Sequence, residues 1–222
     1  MSKVHIFNHP LIGHKIAALR DKETKSYEFR QRVKELAMLM AYEVTNDLKT
    51  EKIEVMTPIG VAQCEVVDEH NIVIIPILRA GLGMIEGLQT LLPNARVGHI
   101  GLARNEATLK PEAYYAKLPA DIDKAVCIVV DPMLATGGSA VDAISFLKDK
   151  GAKEIKFVGL LGADRGIEFL NASHPEVPIY LAARDKVLNE NGYITIDPNL
   201  NEYGYIVPGL GDAGDRIFGT LE

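Results

Sequence analysis

The feature that most constrains this sequence is a short apolar strand that runs into an acidic residue and then into a glycine loop. Cys127–Val130 is an uninterrupted apolar run, which is typical of a parallel strand buried on both faces. Asp131 follows where such a strand ends, and Thr136–Ser139 (Thr-Gly-Gly-Ser) leads into an amphipathic stretch with helical spacing. Ligands of open α/β sheets bind at this carboxyl edge. The sequence therefore predicts a ligand site directly after Asp131.

The glycine loop is suited to a phosphate group. The first turn of a helix leaves its N–H groups without intrahelical partners, and glycine lets the backbone approach an anion closely. The loop does not match that of P-loop NTPases, because their Gly-x-x-x-x-Gly-Lys-Ser/Thr motif needs a lysine that this loop lacks. An isolated Thr-Gly-Gly-Ser fits an ordinary strand-to-helix turn equally well, and the preceding Val-Val-Asp favours the phosphate interpretation.

The strand, Asp131 and the loop together resemble the phosphoribosyl pyrophosphate (PRPP) loop of type I phosphoribosyltransferases. The form Asp-Pro-Met-Leu-Ala-Thr-Gly-Gly-Ser, with one acid at the strand tip instead of two, is similar to that of uracil phosphoribosyltransferases. Two more segments resemble the same family, Pro76–Met84 and Gly204–Arg216. Weaker similarity extends over most of the chain.

The alternation of apolar runs with helical patterns predicts an α/β fold with a parallel sheet covered on both faces. The resemblance implies an open phosphoribosyltransferase-type sheet in one domain, 1–222, with an N-terminal helix and hairpin. The expected strands are Ile72–Leu78, Val97–Ala103, Ala125–Asp131, Ile155–Gly162 and Ile179–Ala183, with a hairpin within Ile53–Val67. The expected helices are about Ser26–Leu48, Leu82–Leu92, Gly138–Lys150 and Ile167–Ala172.

Two segments are predicted to cover the site. Residues of about 104–121, here called the lid, show no clear periodicity and form a long connection, which suits either a closing lid or a mobile surface loop. Residues of about 184–215, here called the hood, are expected over the base site. Within the hood, Leu188–Ile194 nearly repeats as Leu200–Ile206, and only the second copy continues into Pro208-Gly209-Leu210-Gly211. We therefore expect base recognition at the second copy.

The hood also contains a misleading pattern. Gly209, Gly211 and Gly214 match the dinucleotide fingerprint Gly-x-Gly-x-x-Gly, but only eight residues follow Gly214. A dinucleotide site needs an acidic residue about 20 positions further on, so a Rossmann site is excluded. The segment instead suits recognition of a planar base by closely approaching backbone groups. The residues expected to bind uracil are Ile206, Gly211, Asp212 and Ala213.

The resemblance implies that uracil and PRPP react to give UMP and pyrophosphate. The residues implied to be catalytic are Arg79, Arg104, Asp131 and Asp212. Those implied to bind PRPP are Arg79, Arg104, Asp131, Pro132, Met133, Leu134, Ala135, Thr136, Gly137, Gly138, Ser139 and Asp212. Mg²⁺ is expected to bind through PRPP and water and not through dedicated protein ligands. For Arg79, a surface ion pair is the alternative role.

Composition limits the alternatives. The net charge of −6 gives no support to a general nucleic-acid or membrane surface, and the absence of a leader or an apolar span predicts a cytoplasmic location. The six histidines suggest no metal site, and solvated or capping roles are expected for His9 and His14. The family resemblance implies a homo-oligomer, a dimer or a tetramer. It also makes GTP a candidate activator, which these residues neither support nor exclude.

Two other functions match the sequence less well. A regulatory protein that keeps this fold but binds RNA is disfavoured by the acidic balance and by the lack of a Lys/Arg cluster. A purine-specific relative is the second candidate among enzymes. One departure from the family pattern is Asp164-Arg165, where Pro-Glu is expected, and it leaves the chemistry of that loop open.

Overall fold

A computed structural model describes residues 3–104, 111–185 and 200–220. The helices are α1 (Pro10–Arg20), α2 (Ser26–Val44), α3 (Leu82–Leu91), α4 (Gly138–Asp149), α5 (Asp164–Ser173) and α6 (Ala213–Phe218). The strands are β1 (Val4–Ile6), β2 (Thr50–Met56), β3 (Val61–Val67), β4 (Ile72–Pro76), β5 (Arg96–Val97), β6 (His99–Arg104), β7 (Pro111–Lys117), β8 (Val126–Val130), β9 (Met133–Leu134), β10 (Glu154–Gly162) and β11 (Ile179–Arg184).

The central sheet has the order β1-β11-β10-β8-β4-β5, with the short β9 also pairing with β10. Each of these pairings is parallel, which confirms the predicted α/β fold. The predicted strands that became β4, β8, β10 and β11 are correct to within one or two residues. Their carboxyl ends lie along one edge of the sheet, and the loops that follow them meet there.

Two hydrophobic cores lie on opposite faces of the sheet because successive strand residues point to opposite sides. In β4, Ile72 and Ile74 face the first core, which is formed with α1, α2 and α3, whereas Val73 and Ile75 face the second core, which is formed with α4 and α5. Both faces of β4 and most of β8 are therefore buried. This double burial explains why these strands appear in the sequence as continuous apolar runs.

The predicted strand Val97–Ala103 is wrong as a single element. Arg96–Val97 pairs with β4 at the end of the central sheet, and His99–Arg104 leaves the sheet to pair with β7 in an antiparallel hairpin. The predicted irregular lid is therefore partly a strand, with residues 105–110 outside the described ranges. Tyr114 explains the pairing: its ring covers Gly101 across the hairpin, at a position that any side chain would overlap.

The N-terminal segment contains two elements that the sequence patterns did not predict, β1 and α1. Helix α1 begins with Pro10 in its first turn, where the missing N–H of proline removes no hydrogen bond. His9 caps this helix by accepting a hydrogen bond from the Leu11 N–H at 3.2 Å, which confirms the expected capping role. The helix was not predicted because Pro10 and Gly13 usually indicate turns. Ile12, Ile16 and Leu19 pack it against the first core.

The predicted long helix and the predicted hairpin are both confirmed. The helix expected over about 26–48 is α2 and ends at Val44, and the expected hairpin is the pair β2 and β3. The first copy of the hood repeat, Leu188–Ile194, lies outside the described residues. No helix in the described ranges is both long and apolar enough to cross a membrane.

Two helical glycines provide a matched test of the packing. A methyl group on Gly87 of α3 would overlap the Lys34 carbonyl oxygen of α2 and lie 2.7 Å from the Ala37 Cβ, whereas Gly13 in α1 has open space around it. We expect Gly87→Ala to lower the free energy of unfolding by about 1–3 kcal/mol through overpacking. Gly13→Ala should raise it by about 0.5–1 kcal/mol through helix propensity. Denaturant unfolding of both variants checks this, and equal effects would contradict the packing described.

Candidate active site

The carboxyl edge of the sheet brings the predicted ligand loop against the loop after β4. A Cβ on Gly81 would overlap the Val130 carbonyl oxygen at the end of β8 and would lie 2.8 Å from the Ile77 nitrogen. The Ile77 N–H also donates to the same Val130 oxygen at 3.0 Å. Glycine is therefore required for the loop that carries Arg79 to lie beside Asp131.

The loop from Asp131 to Ser139 consists of two parts. Its first part is fastened to β10: β9 pairs with that strand, the Pro132 carbonyl accepts from Leu160 at 3.0 Å and the Leu134 carbonyl accepts from Ala163 at 3.0 Å. Pro132 and Leu134 are buried. The carbonyls of these two residues, both predicted to bind PRPP, therefore hold the loop against β10.

The second part of the loop is the entry to α4. Gly137 has a φ of 84°, in the left-handed region, and a Cβ there would lie 2.9 Å from the Gly166 carbonyl oxygen. Gly166 in turn leaves no room for a side chain, since its Cβ would lie 2.5 Å from the Ala135 carbonyl oxygen. The first intrahelical bond of α4 runs from Val141 N–H to the Gly137 carbonyl at 3.0 Å, so earlier amides remain directed toward the loop. The arrangement is suited to an anion.

Asp131 is half-buried at the tip of β8. Removal from water raises the pKa of its carboxyl to about 7, and a hydrogen bond from the Met133 N–H at 3.2 Å opposes part of that rise. The carboxyl therefore titrates near neutral pH in the ligand-free protein. Hydroxyl groups of a sugar are suitable partners for such a group, because they can donate to its ionised form.

Arg79 forms a surface ion pair, which is the alternative to a catalytic role that the sequence left open for it. Its side chain is 59% exposed, its Nη2 lies 3.1 Å from Asp215 Oδ1, and its guanidinium lies 5.9 Å from the centre of the Phe218 ring. Hydrogen bonds from Thr220 and then Arg79 lower the pKa of the Asp215 carboxyl. An exposed pair of this kind is weak, so the guanidinium can exchange Asp215 for another anion.

Arg104 is the last residue of β6, and its side chain lies outside the described set. Its predicted contact with pyrophosphate stays a prediction.

The C-terminal segment, residues 200–220, begins with a tight turn. The Asn201 side-chain oxygen accepts from the Tyr203 and Tyr205 N–H groups at 3.1 and 2.9 Å, and Asn201 N–H donates to the Tyr205 carbonyl at 2.9 Å. Leu200 and Ile206 pair as an isolated antiparallel bridge. The described bond of this bridge uses the carbonyl of Tyr205, so it occupies neither the N–H nor the C=O of Ile206 itself.

The next turn confirms that the segment depends on close backbone approach. Gly209 has a φ of 62°, and any Cβ on it would overlap the Ile206 carbonyl oxygen. Gly211 follows with a φ of 80°. Both positions favour glycine because other residues rarely adopt a positive φ.

Asp212 has structural partners. Its Oδ1 accepts from the Asp215 N–H at 2.9 Å and so caps α6, and its Oδ2 accepts from the Tyr205 hydroxyl at 3.3 Å. The nearby Asp212 charge raises the pKa of the Tyr205 hydroxyl. The predicted role of Asp212 beside the substrates, through metal-bound water, stays a prediction.

The C-terminal segment lies close to both of the other loops. A Cβ on Gly214 would lie 3.8 Å from the Ala80 side chain, and one on Gly204 would lie 3.7 Å from the Thr136 methyl group. Arg79, Ile206 and Asp212 line a cleft of about 800 Å³. The structure thus brings the C-terminal segment against both the Arg79 loop and the Asp131–Ser139 loop.

A buried arginine that the sequence patterns did not single out holds this segment in place. Arg216, 8% exposed, donates to the carbonyls of Leu19, Leu210 at 2.7 Å and Asp21 at 2.6 Å, and it stacks on Phe29 at 4.3 Å. Burial lowers the pKa of its guanidinium. The only sequence signal was its place among glycines and apolar residues near the C-terminus.

Asp164-Arg165 stands where the family pattern has Pro-Glu, and the structure explains the presence of Asp164. Asp164 begins α5 and pairs with Arg184 at the end of β11. An acidic residue in the first turn also interacts favourably with the helix dipole. Arg165 is exposed, and nothing in the structure explains its presence.

The described residues contain no ready-made cluster of metal ligands. Across residues 3–104, 111–185 and 200–220, no three His, Cys, Asp or Glu side chains gather closely enough to hold a metal ion. Mg²⁺ commonly uses one or two carboxylates together with substrate phosphates and water. Asp131 and Asp212 lie at the site as single carboxylates and not as part of a cluster of metal ligands, which fits that mode.

The raised pKa of Asp131 predicts a pH-dependent stability difference. Between pH 3.8, the usual pKa of the group, and about pH 7, its pKa in the folded protein, the folded protein keeps a proton on Asp131 that the unfolded chain has released. The free energy of unfolding therefore falls as the pH rises through this window. Asparagine cannot ionise. The Tm of Asp131→Asn minus that of the wild type should therefore increase by ~2 °C or more between about pH 5 and about pH 8.

Thermal unfolding at both pH values measures the difference. Asp149→Asn, at the exposed end of α4, is the control and should show no such change. A pH-independent difference for Asp131→Asn would contradict the burial of its carboxyl.

The comparisons with known proteins agree with this geometry. A family model described as uracil phosphoribosyltransferase matches residues 6–220. Uracil phosphoribosyltransferases of Clostridium beijerinckii and Thermoanaerobacter pseudethanolicus are 56% and 58% identical to this chain. The alignments cover 99% and 98% of this chain, and 100% and 98% of the relatives.

Solved structures show the same architecture. A protein from Aquifex aeolicus is 36% identical, superimposes with a TM-score of 0.85 and covers 97% of each chain. An adenine phosphoribosyltransferase of Trypanosoma brucei, at 12% identity, shares the fold with a TM-score of 0.56, covering 86% of this chain and 88% of its own. Sequence, fold and family model agree, and the chain belongs to the uracil phosphoribosyltransferase family.

Proposed function

We propose that this protein transfers the 5-phosphoribosyl group of PRPP to uracil and releases pyrophosphate, which forms UMP in pyrimidine salvage. One observation carries the proposal. The C-terminal turns line a cleft together with Arg79, and the same segment lies against the entry to α4, where a Cβ on Gly204 would be 3.7 Å from the Thr136 methyl group, so a phosphosugar and a planar base can be held next to each other. Membership of the uracil phosphoribosyltransferase family supports this assignment of substrates.

The phosphate of the sugar would lie at the entry to α4. Amides of the first helical turn that make no intrahelical bond and the hydroxyls of Thr136 and Ser139 can donate hydrogen bonds to it. Asp131 would then accept from the ribose hydroxyls, and these bonds would favour its ionised form. The same loop would thereby hold both ends of the sugar.

The leaving pyrophosphate requires positive charge. Arg79 would exchange its exposed pair with Asp215 for charge-assisted hydrogen bonds to pyrophosphate, and Arg104 would contribute from the start of the lid. Mg²⁺, when bound to the diphosphate, would neutralise part of its charge. Because positive charge develops on the sugar ring as pyrophosphate departs, catalysis rests on positioning and electrostatics, without a covalent intermediate.

The base would be recognised by backbone groups. Uracil presents an acceptor, a donor and an acceptor along one edge, which Ile206 and the Gly211–Ala213 turn can match with N–H and C=O groups. Cytosine carries an amino group where uracil has a carbonyl oxygen, so it would oppose one donor with another. Such an unpaired buried donor costs more than the loss of an apolar contact.

Some parts of the proposal are independent of this geometry. The need for Mg²⁺, activation by GTP, assembly into a dimer or tetramer and a cytoplasmic location stay predictions.

A base competition assay tests the function. Purified protein receives PRPP and Mg²⁺ with uracil, cytosine, hypoxanthine, guanine or adenine, and pyrophosphate release is measured. We expect turnover with uracil and at least ~100-fold lower kcat/KM with cytosine, because that base leaves a buried polar group unpaired. Turnover with a purine in preference to uracil would overturn the proposal.

Two substitutions test the roles at the phosphate end. We expect Arg79→Ala and Asp131→Asn each to reduce kcat/KM for PRPP by roughly 100-fold, because each removes charge directed at the reacting sugar or its leaving group. Both variants should remain folded by circular dichroism. Arg32→Ala, which alters only a surface pair with Glu35, is the control. Unchanged turnover in either variant would remove the role assigned to that residue.

A further inference from the structure

Next to the proposed base site, three residues are hydrogen-bonded to one another: a buried acidic residue, an arginine at the end of a helix and a glycine. Asp185 directly follows β11 at the carboxyl edge of the sheet and is only 3% exposed. Arg20 is the last residue of α1. The third member is Gly209, in the turn that backs onto Ile206.

Hydrogen bonds join each of the three residues to the other two. Arg20 Nη1 donates to Asp185 Oδ2 at 2.9 Å and to the Gly209 carbonyl at 2.7 Å, while Arg20 Nη2 donates to Asp185 Oδ1. The Gly209 N–H donates to Asp185 Oδ2 at 2.8 Å. Both backbone groups of Gly209 are therefore held by one ion pair, which we call the Gly209 clamp.

The clamp connects the turn to rigid parts of the fold. The Asp185 N–H donates to the Gly162 carbonyl at 2.9 Å, which fixes its backbone to β10. Arg20 follows Leu19, whose side chain is completely buried in the first core. The position of Gly209 is thus determined by the sheet and by α1, and not by the C-terminal segment alone.

Gly209 in turn determines where Ile206 can present its backbone. The two residues are in direct contact through the Ile206 carbonyl oxygen, at a position where no side chain fits. We propose that Arg20 and Asp185 are positioning residues for the pyrimidine: through Gly209 they hold the Ile206 backbone in register with the edge of the bound base. This proposal rests on the proposed function, since it assumes that Ile206 reads uracil.

The geometry also predicts which substrate is affected. The clamp lies behind the Ile206–Gly209 turn, and the hydrogen bonds that define it join Arg20, Asp185 and Gly209 to one another. A displaced turn should therefore weaken base binding and leave phosphosugar binding almost unchanged. A purely structural role would lower the fraction of folded enzyme and leave both KM values unchanged.

The variants are chosen to remain folded. Arg20→Lys retains the charge beside Asp185 but loses the fork that reaches the carboxylate and the Gly209 carbonyl together. Asp185→Asn retains an acceptor for the Gly209 N–H, and it avoids leaving a buried carboxylate unpaired. Arg30→Ala is the matched control, because Arg30 also donates to a C-terminal carbonyl, that of Ile217 at 2.8 Å, away from the base turn.

Steady-state kinetics on the full chain with PRPP and Mg²⁺ give the first readout. We expect Arg20→Lys and Asp185→Asn each to raise the KM for uracil about tenfold or more, because small displacements of positioning groups are costly. The KM for PRPP should stay within about threefold, and Arg30→Ala should change neither value. The double variant should be no worse than the more impaired single variant, because the residues act as one unit.

Equilibrium binding gives a second readout that does not depend on turnover. UMP occupies both the base and the phosphate site, whereas ribose 5-phosphate occupies only the latter. Calorimetry should show weaker UMP binding in both clamp variants with ribose 5-phosphate binding retained. Equal changes for both ligands, or a change for neither, would overturn the clamp proposal. A wild-type protein that does not use uracil would instead overturn the proposed function.

Discussion

Close contact between backbone segments at the carboxyl edge of the sheet is the constraint on which the site depends. A parallel sheet brings its strand ends to one side, but side chains would normally keep the following loops apart. Here Gly81 and Gly166 lie directly against carbonyl oxygens of neighbouring loops, and neither could carry a Cβ without displacing them. The loops of Arg79 and Asp131 therefore lie side by side, with the start of α5 supporting the second of them.

The C-terminal segment is positioned by a different kind of interaction. It contains one six-residue helix, and Ile206, Leu210, Ala213 and Ile217 pack into the first core, but such packing is non-directional and does not by itself orient the backbone of the turns. Its backbone carbonyls instead accept hydrogen bonds from arginines of this segment and of α1, among them Arg216 and Arg20. Burying these charges costs desolvation energy, which multiple hydrogen bonds offset. Such interactions are directional, and they suit a segment whose backbone must match the edge of a small ligand.

Elements with a strong local signal were predicted well, and the others were not. Strands β4 and β8 follow from apolar runs, and α2 follows from a regular helical stripe. Helix α1 was missed because Pro10 and Gly13 usually mark turns, although proline suits a first helical turn. Strand β7 was missed because its pairing depends on Tyr114 packing over Gly101, a contact between residues distant in the sequence.

The sequence by itself determined the fold class, the phosphate-type loop after Asp131 and the candidate base segment around Ile206, because strand burial, helix entry and glycine spacing are local properties. Only the tertiary structure decided that Arg79 pairs with Asp215 and that Arg20 and Asp185 enclose Gly209. Those contacts join residues separated by up to 189 positions along the chain. Hydrogen-bond geometry and burial at such separations arise only when the helices and the sheet have packed together.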